Sequence, residues 1–322
     1  MSSRQGPRQL APGHGLASGL VVAAFGRHCL IETDDGRRLV AHPRGKKNQA
    51  VVGDRVYWQA TGDEASIEGL DPRRNLFYRQ DEVRTKSFAA NLDRVLILIA
   101  AEPEFSESQL SRALVAAEAE KITPIIALNK SDLVEPFARA WERLAPYRAM
   151  GYAVLPLALA PRGQPPVDDG LPALLQALRG QHTLVLGPSG SGKSSLINRL
   201  VPGAQAETSE ISQALNSGKH TTTSTRWYWV DALDAAGQRG ALIDSPGFQE
   251  FGLHHIEPTR LAQCMPDLRQ YLGQCRFYNC THLHEPGCAV LAQVGAAGQN
   301  GISERRHRIY AQLFEELGHR RW

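Results

Sequence analysis

The segment "LVLGPSGSGKSSLINRL", Leu184 to Leu200, constrains the fold more than any other stretch of the chain. A short apolar run enters a glycine-rich loop, and an amphipathic run leaves it. "GPSGSGKS" fits G-x-x-x-x-G-K-[ST] between a strand and a helix, which is the setting the pattern requires. Gly187, Pro188, Ser189, Gly190, Ser191 and Gly192 form the loop, whose backbone N–H groups can curl around a phosphate. The helix that starts at Lys193, Ser194 and Ser195 adds partial positive charge at its N-terminus. Lys193 is expected to reach the β- and γ-phosphates, and Ser194 to bind Mg²⁺. An ordinary Gly/Ser-rich turn would not combine the strand, the helix, the lysine and the serine.

The surrounding sequence agrees. "DRVLILIAA", "ITPIIALNK", "YAVLPLALA", "HTLVLG" and "RGALIDSPG" are apolar runs of strand length, as for strands buried on both faces. Between them lie "SESQLSRALVAAEAEK", "FARAWERLAPYRAMG", a helix ending near Gly151, and "GLPALLQALRG", all with helical spacing. Alternation of this kind predicts an α/β domain with a doubly wound parallel sheet. Residues 17–82 read differently. Short alternating runs break at Asp35-Gly36 and Gly53-Asp54, which suggests a small OB-like β-barrel able to bind RNA. Residues 1–16 read as a disordered tail, 83–252 as the nucleotide domain and 253–322 as a helical metal-binding domain.

Three further motifs assign the nucleotide. In "NKSD", the Asp132 carboxylate can accept from both N1–H and the exocyclic amine of guanine, whereas adenine would leave it unpaired. Asn129 can reach the other polar edge of the base, the stem of Lys130 can stack over the ring, and Ser131 completes the loop. In "DSPG", Asp244 ends a strand and can hold Mg²⁺ directly or through water, and the Gly247 N–H can sense a γ-phosphate. "KHTTTST" offers Thr222 as a hydroxyl ligand to Mg²⁺, in a segment expected to order with GTP. The order along the chain is base loop, phosphate loop, threonine switch, D-x-x-G, the reverse of the usual one. A parallel sheet tolerates this, because its loops gather at the strand C-terminal edge whichever strand comes first. Phe248 stands where a water-orienting glutamine often follows D-x-x-G. Slow intrinsic hydrolysis is therefore expected, with His220 as the candidate replacement.

Of the five cysteines, Cys275, Cys280 and Cys288 cluster with His282 in the spacing C-x4-C-x-H-x5-C. Three thiolates and an imidazole make a closed tetrahedral shell, which reads as one structural zinc. His284 is a rival for His282, and Cys29 and Cys264 read as ordinary buried residues. The net charge is only +3, but arginines gather at both ends of the chain, as suits a phosphate-backbone partner. No apolar run approaches the ~20 residues of a membrane span. The N-terminus lacks the apolar core of a secretory signal. The expectation is a cytoplasmic monomer.

With these residues assembled, the chain resembles the circularly permuted GTPases of the small-ribosomal-subunit-dependent GTPase A (RsgA) family. The resemblance runs from Gly19 to about Gly318 and includes "VVGDRV", "ALNKSDL", "GPSGSGKSSLINRL", "KHTTTST", "DSPGFQEFGL" and "CRFYNCTHLHEPGC". It implies an N-terminal OB barrel, a permuted GTPase domain and a C-terminal zinc domain. It also implies GTP hydrolysis stimulated by the small ribosomal subunit during its late maturation, with contact to its rRNA. Asn129, Lys130 and Asp132 fall on the guanine loop, Gly187 to Ser195 on the phosphate loop, and Cys275, Cys280, His282 and Cys288 on the zinc ligands. One departure stands out. Where the family has a Ser-Ala pair in a second guanine loop, this chain has "LPLALAPRGQPP", leaving Ala158 or Ala160 for the alanine place. A GTP-gated rRNA-binding scaffold with incidental hydrolysis is the competing reading. An ATP-dependent enzyme is disfavoured by Asp132.

Overall fold

The computed structural model describes residues 15–26, 28–43, 50–81, 84–160, 168–204, 225–246, 251–296, 298 and 301–318. Five strands come first: β1 (Ala17–Phe25), β2 (His28–Thr33), β3 (Arg38–Pro43), β4 (Arg55–Thr61) and β5 (Glu64–Leu70). They pair in the order β1-β2-β3-β5-β4, and β4 pairs back onto β1, so the barrel is closed. β3 and β5 run parallel and the other neighbours antiparallel. The Asp35-Gly36 break is the β2–β3 turn, where the Gly36 N–H donates to the Thr33 carbonyl. Alternate residues Val21, Ile31, Val56, Trp58 and Ile67 point inward and fill the barrel.

A hairpin of β6 (Leu76–Gln80) and β7 (Thr85–Ala90) follows. The main sheet contains β8 (Arg94–Ala100), β9 (Thr123–Asn129), β10 (Ala153–Pro156), β11 (His182–Leu186) and β13 (Ala241–Asp244), all parallel, in the order β10-β9-β8-β11-β13. β12 (Arg226–Trp229) joins the edge antiparallel to β13 and meets the barrel through an Ala23–Arg226 pair.

The unbroken apolar runs are explained by burial on both faces. In β8, Val95, Ile97 and Ile99 face one layer, together with Leu110, Ala113 and Leu114 of α1 (Glu107–Ala119) and with Ile309 and Leu313 of the C-terminal helix Glu304–Gly318. Leu96 and Leu98 face the other, with Leu174 of α4 (Leu171–Leu178) and Leu196 of α5 (Lys193–Leu200). Ser106 caps α1 by accepting from the Gln109 N–H.

Two segments expected as single elements differ in the structure. The helix expected over "FARAWERLAPYRAM" is two helices, α2 (Val134–Arg143) and α3 (Ala145–Ala149). Pro146 has no N–H to continue the first helix and instead opens the second. The strand expected over "YAVLPLALA" stops at Pro156, and Leu157 to Leu159 turn into a buried loop.

The C-terminal segment docks on α1. Arg306, 3% exposed, makes a two-pronged ion pair with Asp267 and donates to the Ser111 hydroxyl. Arg112 pairs with Glu316 and also donates to the Phe251 carbonyl at 3.2 Å. Among the described residues no helix is long and apolar enough to cross a membrane.

Candidate functional site

Because β9, β10, β11 and β13 are parallel neighbours or near neighbours, the loops at their C-terminal ends share one edge of the sheet. Those loops carry Asn129 to Asp132, Leu157 to Ala160, Gly187 to Gly192, and Asp244 onward. The reversed order along the chain is thus gathered into one place.

Asn129 ties three of these loops together. It is 3% exposed; its Nδ2 donates to the Ser191 carbonyl at 3.0 Å, and its Oδ1 accepts from the Leu159 N–H at 3.0 Å. Its amide therefore spans the phosphate loop and the loop after β10. The Ser131 N–H donates to the Leu157 carbonyl, which joins the loops after β9 and β10 a second time. Lys130 sits in the left-handed region, with φ 68°, and its Nζ donates to the Glu102 carbonyl. Its stem therefore forms a wall between the loops of β8 and β9. Asp132 follows in a half-buried position.

The phosphate loop has the shape its glycines permit. Gly192 has φ 107°, and a Cβ there would lie 2.3 Å from Asn129 Nδ2. A Cβ on Gly187 would lie 2.2 Å from the Leu98 carbonyl oxygen. Lys193 Nζ donates to the Gly187 carbonyl at 2.6 Å and the Pro188 carbonyl at 3.2 Å, so it lies along the loop. The Ser191 hydroxyl is buried and has no hydrogen-bond partner among the described residues. A phosphate group would supply one. Ser194 is exposed at the start of α5, and Ser195 is half-buried. Pro188 is half-buried and Ser189 exposed.

Charge at this edge is concentrated and partly desolvated. Burial pushes the Asp244 carboxyl up to about 6, opposed by Lys193 and Arg226. Burial pulls the Lys193 ammonium down, opposed by Asp244. Arg226 lies opposite Asp244 in the β12–β13 register. A divalent cation and a polyphosphate would answer both imbalances. The Ser245 hydroxyl donates to the Val185 carbonyl at 2.7 Å and fixes the turn after β13 to β11. His220, Thr222, Gly247 and Phe248 lie outside the described residues.

The sequence reading did not identify Leu159, Asp169, Arg199 or Ser245 as parts of the site. Arg199 pairs with Asp169, and the Asp169 carbonyl accepts from the Ala158 N–H. These roles rest on backbone atoms and on pairs distant in the chain, which no motif marks. The Ala158 N–H is thereby engaged. The Ala160 N–H has no backbone hydrogen bond among the described residues.

The second cluster lies in the C-terminal segment. The ligand atoms of Cys275, Cys280, His282 and Cys288 all fall within 4.8 Å of one another. Cys275 Sγ is 3.9 Å from Cys288 Sγ, and His282 Nδ1 is 3.5 Å from both sulfurs. Tetrahedral zinc with Zn–S near 2.3 Å and Zn–N near 2.0 Å requires about 3.8 Å and about 3.5 Å. Cys275, Cys288 and His282 therefore match the spacing of such an ion, and Cys280 lies within 4.8 Å of them. His284 is exposed and outside the group. The Ala289 and Leu291 N–H groups donate to the Cys275 and Cys288 sulfurs. The C-terminal helix braces the knot: His307 Nε2 donates to the His282 carbonyl, and the Tyr310 hydroxyl to the Thr281 carbonyl. Cys29 and Cys264 are buried away from it.

A closed five-stranded barrel, a permuted phosphate-loop sheet and a Cys₃His knot define a class, the circularly permuted GTPases. Comparison with known proteins narrows the class. The RsgA GTPase family model matches residues 70–254. The small ribosomal subunit biogenesis GTPase RsgA of Variovorax paradoxus is 67% identical, over 95% of this chain and 94% of the relative. The protein of the same name from Paraburkholderia xenovorans is 50% identical, over 98% of each. YjeQ from Thermotoga maritima superposes with a TM-score of 0.71 at 27% identity, covering 95% of this chain and all of the other. YloQ, described as a circularly permuted GTPase, gives 0.67 at 25% identity, covering 98% of this chain and 99% of the other. The chain belongs to the RsgA GTPase family and is a GTP hydrolase.

Proposed function

We propose that this GTPase acts in biogenesis of the small ribosomal subunit, the role stated in the names of its relatives. The observation that carries the reading is the Asn129 tie. One buried amide locks the guanine loop, the phosphate loop and the loop after β10 into a single nucleotide cradle. Asp132 reads N1–H and the exocyclic amine of guanine, and the Ala160 N–H, which has no backbone hydrogen bond among the described residues, meets the guanine carbonyl. Gly187 to Ser195 wrap the phosphates, with Lys193 swinging from its loop carbonyls to the β- and γ-oxygens. Ser194, Thr222 and Asp244 are the residues that would hold Mg²⁺, which neutralises charge on those oxygens when bound. Gly247 follows the γ-phosphate.

Phe248 cannot orient a water by hydrogen bonding, so intrinsic turnover is slow and the subunit stimulates it, with His220 as the positioning group. The Cys275, Cys280, His282 and Cys288 knot holds one structural zinc. The barrel contacts rRNA, and the protein works as a cytoplasmic monomer. Its parts are a tail over 1–16, a barrel over 17–82, the GTPase domain over 83–252 and the zinc domain over 253–322.

The test is hydrolysis of GTP and ATP by the purified protein, alone and with small ribosomal subunits. Slow GTP turnover raised about tenfold or more by the subunit supports the reading. Subunit binding that depends on GTP without any rise in turnover would favour a GTP-gated scaffold, the alternative that Phe248 keeps open. If His220→Ala leaves stimulated turnover intact, the assignment of His220 fails.

A further inference from the structure

Arg226 opens β12 and is 5% exposed, yet its buried Nε and Nη1 have no hydrogen-bond partner among the described residues. Arg306, as deeply buried, shows what a structural arginine takes: a two-pronged ion pair with Asp267 and a bond to the Ser111 hydroxyl. Arg226 has instead the Phe25 ring of the barrel, 5.7 Å from its guanidinium carbon. A cation–π contact attracts the charge but satisfies neither N–H. A buried guanidinium with unmade bonds weakens the free protein, so it points to an acceptor that arrives with a ligand.

Its place in the sheet says which ligand. Arg226 lies opposite Asp244 in the antiparallel β12–β13 pair, and opposite residues share a face. Two residues on, Tyr228 and its opposite Leu242 pack with Leu196 and Ile197 of α5, whereas Trp227 and Ile243 belong to the other layer. Arg226 and Asp244 therefore stand on the side of the sheet that carries α5, the helix that starts at Lys193. The charges of Lys193 and Arg226 both act on the Asp244 carboxylate. Neither Nε nor Nη1 of Arg226 is bonded to that carboxylate, so the acid does not account for them. Only Ser224 and Thr225 separate Arg226 from the threonine run.

We propose that Arg226 is a catalytic arginine supplied by the chain itself, whose unpaired N–H groups meet the γ-phosphate oxygens of GTP. The inference rests on the reading that Lys193 and Asp244 mark the seat of the γ-phosphate. Water adds to the γ-phosphorus as the bond to the β–γ bridging oxygen breaks, and its proton leaves on inorganic phosphate. A guanidinium at this place neutralises the charge that grows on the bridging and γ-oxygens. GDP has no γ-oxygens, so Arg226 contributes little to its binding. Only the Phe25 contact is given up when the guanidinium turns to the phosphate.

The test compares the full-length protein with Arg226→Met and Arg226→Lys. Single-turnover hydrolysis at saturating GTP should fall about 100-fold or more in Arg226→Met, while GDP affinity stays within about twofold. Arg226→Lys keeps the charge without the planar fork and should lose about tenfold in turnover, again with GDP affinity kept. The melting midpoint of nucleotide-free Arg226→Met should equal or exceed that of the parent, because an unpaired buried charge is gone. Turnover that is unchanged in Arg226→Met overturns the proposal. A loss of GDP affinity that matches the loss of turnover overturns it too, and makes Arg226 a support for the loops. If Arg226→Met does not fold, Arg226→Lys decides by the same two criteria. Lys193→Ala tests the underlying reading separately: if GTP affinity survives that change, the seat of the phosphates is wrong, whatever Arg226 does.

Discussion

Asn129→Ala separates two roles that an asparagine at this position can play. If it serves only the base, its removal matters only when nucleotide is bound. The geometry says that it also holds the loops together on its own, because both ends of its amide are engaged with backbone atoms of other loops. Removing it strands the Ser191 carbonyl and the Leu159 N–H in a place that is 3% exposed. Each stranded buried group costs about 1–3 kcal/mol, and the open edge of the site favours the low end, so about 2 kcal/mol is the working figure. For the sheet domain this corresponds to a fall of about 4–8 °C in the melting midpoint. The assay is thermal unfolding of the nucleotide-free variant and parent, followed by GDP titration of each. A midpoint within about 1 °C of the parent, together with a large loss of GDP affinity, would refute the reasoning and make Asn129 a base contact alone.

Other consequences follow from the same coordinates. Gly192→Ala adds a Cβ 2.3 Å from Asn129 Nδ2 at φ 107°, and should weaken GDP binding by about 10- to 100-fold in a fluorescence titration; near-parental affinity would mean the loop can relax. Removal of metal by a strong chelator, or Cys280→Ser, should release one zinc per chain by elemental analysis and expose the 275–288 segment to protease, while GDP affinity persists; resistance to protease after metal loss would make the knot dispensable. His255 packs at a tilted angle against Tyr78, 4.3 Å between ring centres, and neither ring nitrogen has a hydrogen-bond partner among the described residues. Burial first, and the neighbouring His254 second, push its imidazole down to about 4. Its folded pKa thus lies below the unfolded value near 6.5, so the unfolded chain takes up the proton first. That contribution to stability is full above pH 6.5 and is lost as pH falls toward 4. In urea unfolding at several pH values, His255→Phe should therefore gain on the parent as the pH drops through this window; parallel curves would sink the assignment.

How much of this was legible in sequence depended on what kind of atom does the work. Side chains with fixed chemistry at fixed spacing are readable: the spacing of Cys275, Cys280, His282 and Cys288 announces a group that could hold a metal, and the fold brings the four together. The strands were readable because burial on both faces leaves runs such as "VLILIA" with no polar alternation. The loop after β10 was not. Its contributions are the N–H of Leu159 and the carbonyl of Leu157, and a backbone atom is the same in every residue. Nothing in the sequence separates Ala158 from Ala160, and the Ala158 N–H that donates to the Asp169 carbonyl is again a backbone atom. The hairpin of β6 and β7 escaped notice because neither strand alternates cleanly. It serves as a seat for other elements: Phe77 and Phe88 are both buried against Phe251.

That seat bears on why a permuted order would be useful. The chain leaves β13 at Asp244, where Ser245 is bonded to β11. Phe251, 1% exposed, stacks on Phe88 and meets the Phe77 ring at a tilted angle. Leu253 then bridges to Gln80 of β6, and the Gln80 N–H donates to the Gly252 carbonyl. The Phe251 carbonyl also accepts from Arg112, whose other contacts are the carboxylate oxygens of Glu316 on the C-terminal helix. In the unpermuted order, the segment after D-x-x-G would return into its own sheet, and any shift there would be absorbed by neighbouring strands. Here it ends on a hairpin adjoining the barrel and on an arginine shared with the helix that braces the metal knot. The segment after D-x-x-G is therefore tied both to the β6–β7 hairpin and, through Arg112, to the C-terminal helix. Of the two, only the C-terminal helix follows D-x-x-G in the chain; the hairpin precedes it, and the segment folds back to reach it.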